Sequence, residues 1–379
     1  MSQTTQKNTM KEDNTTIIGK NGTDVEPEPP EKITKPFDPS LIRVKSKSMI
    51  IDTLLKRIQH EELELNPEFQ RKAGLWTKEA QSQLIESLLI GVPLPAFYMD
   101  ATNKNKWLVV DGLQRLFALK QFMIAKKLKL TGLEFLQELE EKSYDDMKRS
   151  LLRDIEETEI IVYLIEEGTP PEVKFNIFKR INTGGLPLST QEIRHALYQG
   201  KATKLLAKLA DSEEFKKATD NSISNERMED REFVLRFLAF LLTDRSNLTK
   251  GLNHFLNETM VILNQKPEAE LKKITKQFER AMWAAHQIFG NDAFRKRFRK
   301  QDRRKPINKA LFDVFSVSLA LYNDDLERII QKRDRLIELF MELMRDSEFE
   351  STVSGGASDL KKVEDRFSAI KNIFEELLA

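Results

Sequence analysis

The run Val109-Val110-Asp111-Gly112-Leu113-Gln114-Arg115 puts a carboxylate, a glycine, an amide and a guanidinium within five residues. A glycine allows close backbone approach, a helix start presents unpaired N–H groups and the positive end of the helix dipole, and an arginine adds a fixed cationic fork. Such parts hold a phosphate, with Arg115 as the clamp. Asp111, on the same turn, is placed to hold a Mg²⁺ that bridges phosphate oxygens or to orient an attacking water, with Gln114 orienting one of them, as phosphoryl transfer requires. The spacing fits equally an ordinary Asp-Gly turn followed by a solvated helix face.

Two further clusters have related chemistry. Asn66-Pro67-Glu68-Phe69-Gln70-Arg71, followed by Trp76, offers amides, a guanidinium and an aromatic ring in a loop, a set suited to a purine base and phosphates. It also reads as a proline-anchored connector with Phe69 and Trp76 plugging the core. Phe178-Lys179-Arg180-Ile181-Asn182-Thr183-Gly184-Gly185, followed by Ser189 and Glu192, reads as a glycine helix stop and a serine cap. That reading explains the glycines but not Arg180 and Asn182 immediately before them. A fourth feature is a basic block, Arg295, Lys296, Arg297, Arg299, Lys300, Arg303, Arg304 and Lys305, with Phe298 interleaved. It could track a nucleic-acid backbone or be a solvated charged face.

The surrounding elements place the first cluster at a strand-to-helix junction. Lys106 to Gly112 is a β-rich run after the extended PLPAFYMD segment, so the two read as a hairpin or adjacent strands, and Leu116, Leu119, Phe122 and Met123 then recur at helical spacing. Further strands are expected near Ile42 to Met49 and Ile160 to Ile165, and helices over Ile51 to His60, Thr77 to Gly91, the proline-opened run to Ile181, and Leu186 to Gly200. Beyond residue 201 the pattern is helical throughout, over 203–219, 229–243, 253–264, 267–289, 306–321, 324–346 and 360–378. The fold class expected is α+β, with a leader at 1–40 too polar to order, a mixed domain at 41–200 and a helical domain at 201–379.

Composition removes whole classes of chemistry. With 61 Lys+Arg against 60 Asp+Glu the bulk charge selects no partner. The absence of cysteine rules out disulfide frameworks, thiol nucleophiles and cysteine-ligated metals, and the four histidines form no helical zinc pair or HNH-like cluster. No apolar run approaches the roughly 20 residues needed to span a bilayer, and the polar start lacks the features of a signal peptide, so a cytoplasmic location without membrane contact is expected.

Taken together and in order, NPEFQRKAGLW, QLIESLLIGVPLPAFYM, WLVVDGLQRLFAL and FKRINTGGLPLSTQEIRHALYQG resemble the N-terminal domain family of GmrSD-type, modification-dependent restriction systems, which carries a DGQQR motif on a ParB/sulfiredoxin-like fold. The resemblance covers residues 41–200 and implies a nucleoside triphosphate site (GTP or ATP) with Mg²⁺, whose hydrolysis serves restriction and antiviral defence. It assigns Asp111, Gly112, Gln114 and Arg115 to the DGQQR signature, Gln70 and Arg71 to an upstream QR element, and Arg180 and Asn182 to an R-I-N element. Leu113 stands where the family has glutamine, which an apolar side chain satisfies only by facing the core. Fuller members append an HNH nuclease; none is expected in this chain, so a separate nuclease or defence subunit is the implied partner. The alternative reading is a DNA-binding or weakly DNA-nicking ParB-like module, and a third is a non-catalytic interaction subunit.

Overall fold

The computed structural model describes residues 24–27, 38–65, 76–181, 188–354 and 359–379. The chain divides into two compact units that interleave in sequence, one formed by 32–208 with 225–271 and the other by 1–31, 209–224 and 272–379.

The first unit contains the sheet. β1 (Val44–Ile50) leads directly into α1 (Ile51–Gln59), whose Ile51, Leu54, Leu55 and Ile58 recur at i, i+3, i+4 and i+7 and are all buried. After β2 (Leu63–Glu64) comes α2 (Lys78–Leu89), opened by Thr77, whose hydroxyl accepts the Ala80 N–H at 3.3 Å. β3 (Phe97–Asp100) and β4 (Trp107–Asp111) pair antiparallel, as the two extended runs around the NKNK turn predict. Then follow α3 (Leu113–Leu119), α4 (Arg149–Glu157), β5 (Glu159–Ile165), α5 (Pro171–Ile181) and α6 (Thr190–Leu197). Among the described residues the strands form one mixed sheet in the order β1-β5-β3-β4-β2.

Alternation along the strands sends apolar side chains to both faces. Phe97, Met99, Trp107, Val109, Ile160 and Val162 pack with α1 to α4, while Val110 and Ile165 pack with Val173, Phe175, Ile177 and Phe178 of α5 and Ile193 of α6. The mixed α/β character agrees with the α+β expectation.

Several elements differ from the sequence reading. The helical spacing that takes in Phe122 and Met123 is not one α-helix: α3 stops at Leu119 and continues as a single π-helical turn, Lys120–Ile124. The chain leaves the helix because its backbone pairs elsewhere: Leu130 N–H donates to Lys142 O and Glu141 N–H to Leu130 O. The Glu86 carboxylate of α2 then caps the next segment, accepting the N–H groups of Glu134, Phe135 and Leu136 at 3.0, 2.7 and 2.8 Å. The charged helix α4 and the short β2 escaped the periodicity search.

Beyond α6 the described chain is helical. α7 (Lys201–Ala210) and α8 (Glu213–Thr219) are separate because Ser212 caps the second, accepting the Phe215 N–H. α9 (Glu229–Leu242) and α10 (Leu252–Gln265) belong to the sheet-bearing unit. The long α11 (Glu268–Phe289) is followed by α12 (Lys309–Leu321), α13 (Leu326–Gln331), α14 (Arg333–Arg345), α15 (Ser347–Ser354) and α16 (Leu360–Leu378). Phe215, Phe278 and Phe312 form one aromatic contact group in this second unit, and Phe289, Phe315 and Phe340 another. Residues 24–27 of the expected leader are ordered against it, with Val25 buried and bridged to Ile307. Among the described residues no helix is long and apolar enough to cross a membrane.

Candidate functional site

The Asp-Gly pair lies where β4 turns into α3. Tyr98 pairs with Asp111 and Met99 with Val109, so Val110 is the extra residue of a β-bulge that sets Asp111 opposite Tyr98. Gly112 has φ +98°, and a Cβ there would stand 2.3 Å from Cδ1 of Phe97. Only glycine fits the turn, for conformational and steric reasons alike.

Arg115 lies one helical turn further on and is 8% exposed. Its Nη2 donates to Asp111 Oδ2 at 2.9 Å and to Ala96 O at 3.2 Å, Nη1 donates to Pro95 O, and the guanidinium carbon lies 4.4 Å from the centre of the Phe97 ring. The fork is therefore committed to the protein: it ties the Pro95-Ala96 backbone to the end of β4. Burial pushes the Asp111 carboxyl up, against the pull of Arg115 and the Gly112 N–H, and pushes the Arg115 guanidinium down, against the pull of Asp111. The ionised carboxylate depends on its arginine.

Gln114 and Leu113 point to different tasks. Gln114 Oε1 accepts the Trp76 N–H at 3.2 Å, and Gln81 Nε2 donates to Trp76 O at 2.8 Å, so both polar groups of the Trp76 backbone are held. That residue ends the 66–75 stretch carrying Gln70 and Arg71, which lie outside the described residues, as does Asn182. Leu113 is partly buried and packs, as Leu108 and Leu188 do, against the cluster of Ala196 and Met228, so the apolar replacement faces the core.

Arg180 is exposed in the last turn of α5 and has no ion pair among the described residues. Its neighbours Ile177 and Ile181 share a hydrophobic cluster with Val110, the residue before Asp111, which sets this end of α5 over β4. The residues after 187 are held firmly. The Ser189 hydroxyl and the Glu192 carboxylate form a capping box, Arg227 pairs with Glu192 at 2.9 Å, and the fully buried Arg194 bonds Gln191, Asn253 and Asn257.

The sequence reading missed Tyr98. It stacks on Tyr163 with ring centres 4.9 Å apart, and burial, then the charges of Tyr163 and Asp111, raise its phenol above the ordinary value. The alternation in FYMD marks Tyr98 as facing away from Phe97, but its partners follow only from the pairing of β3 with β5 and β4.

No group of three or more acidic or histidine side chains suited to a metal occurs among the described residues. Asp111 alone fits a Mg²⁺ only if phosphates and water complete the octahedron, the pattern nucleotide sites use. The basic block is not a free stripe. Arg295 is 2% exposed and pairs with Asp24, Lys296 pairs with Glu26, Arg297 with Asp292, Lys300 with Glu338 and Arg304 with Asp220. Arg299, Arg303 and Lys305 are exposed and have no ion pair among the described residues.

No curated protein matches the chain. Residues 51–199 match the sequence model of the family described as GmrSD restriction endonuclease, N-terminal domain. The matched span begins with α1 and runs through α6, taking in the β4 to α3 junction, so this segment is similar to the GmrSD restriction endonuclease N-terminal domain family.

Proposed function

We propose that residues 51–199 are the nucleotide-binding module of a restriction system, with the site at the β4 to α3 junction and a ParB/sulfiredoxin-like arrangement of the sheet. The observation that carries this reading is the junction itself: a glycine that nothing else can replace, followed by an arginine whose fork holds Asp111 in place. Together with the family match it favours a site built for an anionic ligand over a plain turn.

In this reading Asp111 presents the carboxylate that would meet a nucleotide-bound Mg²⁺ or the attacking water, and Gly112 lets the turn form against the Phe97 ring so that Asp111 and Arg115 meet. Arg115 is a positioning residue for Asp111, because its donors are already used. The cations that meet phosphates are then Arg180 at the end of α5 and Arg71, with Gln70 and Asn182 as polar contacts. Gln114 acts through Trp76, fixing where the loop bearing Gln70 and Arg71 returns to the core. Mg²⁺ would supply charge neutralisation at the phosphates. The module works in the cytoplasm, with DNA cutting supplied by a separate nuclease subunit.

Phosphate release from a panel of nucleoside triphosphates, with and without Mg²⁺, tests the reading. Wild type is expected to hydrolyse at least one of them and Asp111→Asn to lose that activity while remaining folded at the assay temperature. Activity that survives intact in a folded Asp111→Asn variant would remove Asp111 from the chemistry.

A further inference from the structure

We propose that residues 24–26 stand in for a nucleic-acid strand on the basic block at 295–305, keeping that surface closed until the phosphate backbone of a DNA duplex displaces them. A duplex is the polyanion whose closely spaced phosphates match the exposed cations beside this segment, and the inference is independent of the nucleotide site.

The segment is held as a polyanion would be. Asp24 Oδ2 accepts from Arg295 Nη1 at 2.6 Å, and Glu26 accepts from Lys296 Nζ at 2.9 Å and from the Asn308 amide. These carboxylates alternate along an extended strand, with Val25 between them. Arg295 is a buried arginine that draws its only carboxylate among the described partners from this segment; its other acceptors are neutral, the Ser222 hydroxyl and the carbonyls of Asn291 and Lys305. Burial pushes the guanidinium down, Asp24 is the largest influence against that, and Arg304 and Asp220 act in opposite directions, so Asp24 is the chief anion that the buried fork meets. A phosphate serves there as well as a carboxylate does, and an arginine fork suits it.

The rest of the attachment is slight enough to exchange. Apart from those side-chain contacts, the described residues are held by one buried valine and three backbone hydrogen bonds, Asp24 N–H to Ser222 O, Glu26 N–H to Ile307 O and Ile307 N–H to Asp24 O. Beside it Arg299, Arg303 and Lys305 are exposed without an ion pair among the described residues, ready for a first, salt-sensitive contact with a duplex. Displacement then frees Arg295 for a further phosphate, while Lys296 keeps Glu350 at 3.8 Å and the Ser354 hydroxyl at 2.6 Å.

The test is fluorescence anisotropy of a short labelled DNA duplex titrated with the full chain, without nucleotide, over a range of salt concentrations. Asp24→Asn with Glu26→Gln is expected to bind roughly tenfold tighter than wild type, with a log–log salt slope steeper by about one, because Arg295 now also reaches a phosphate. Arg299→Glu with Arg303→Glu, at exposed positions, is expected to lose the binding. Equal affinity and slope in wild type and the neutralised variant, or no duplex binding by either, would overturn the proposal. So would tighter binding of an RNA duplex than of DNA.

If the neutralised variant melts early, wild type decides the matter. Hydrogen exchange at the Glu26 and Ile307 amides is expected to accelerate when the duplex saturates the protein, and unchanged protection there would contradict displacement. Nucleotide hydrolysis enters none of these readouts, so failure here leaves the nucleotide site standing, and failure there leaves this surface standing.

Discussion

At Gly112 the backbone adopts φ +98° and the Phe97 ring fills the space a side chain would need. Gly112→Ala is therefore expected to cost roughly 3 kcal/mol, combining a left-handed alanine with overpacking, and urea unfolding measures it. Arg115 makes a second prediction. Arg115→Ala strands the Asp111 carboxylate and two backbone carbonyls and should cost about 3 kcal/mol, near the low end for a broken buried pair because Asp111 keeps contact with water. Arg115→Lys recovers little of this, since an ammonium cannot reproduce the fork. A lysine variant as stable as wild type would show that charge alone suffices. The Asp-Gly motif with its following arginine was legible in the sequence; the use of that arginine was not, because its acceptors on Pro95 and Ala96 are reached only when β3 folds back beside β4.

Among the elements, α2 illustrates how a buried charge organises a segment without regular structure. Burial works against the ionised Glu86, but three backbone N–H donors outweigh it and hold the carboxyl below the usual glutamate range. A folded value below the unfolded one means that the carboxylate contributes stability that is complete above the unfolded value, near pH 4.3 in glutamate peptides, and is lost as the pH falls through the folded one. Glu86→Ala should cost roughly 3 kcal/mol at pH 7, and the gap to wild type should narrow in urea unfolding below about pH 4. A gap that stays constant with pH would mean that the charge does not matter. Helix α1 and the β3 to β4 hairpin were legible because period and turn residues act locally. The sheet order was not, since β1 meets β5 across more than a hundred residues through backbone pairing. The glutamate staple was hidden likewise, as nothing in the 134–136 segment names its acceptor.

For the molecule as a whole, the sheet-bearing unit holds the candidate site and the second unit holds the basic block with its acidic clip. The neutral overall charge concealed that block's pairing, because Asp24 and Glu26 lie about 270 residues from the arginine and lysine they meet. The central claim is that the end of β4 and the end of α5 receive a nucleotide. Isothermal titration of wild type and Arg180→Ala with nucleoside triphosphates and Mg²⁺ tests it most directly, since Arg180 is exposed and its loss should leave the melting temperature unchanged. The account predicts saturable binding by wild type, weakened roughly tenfold in Arg180→Ala as one charged contact to phosphate is lost. Binding that is equal in the two proteins, or absent from wild type for every nucleotide, would contradict it.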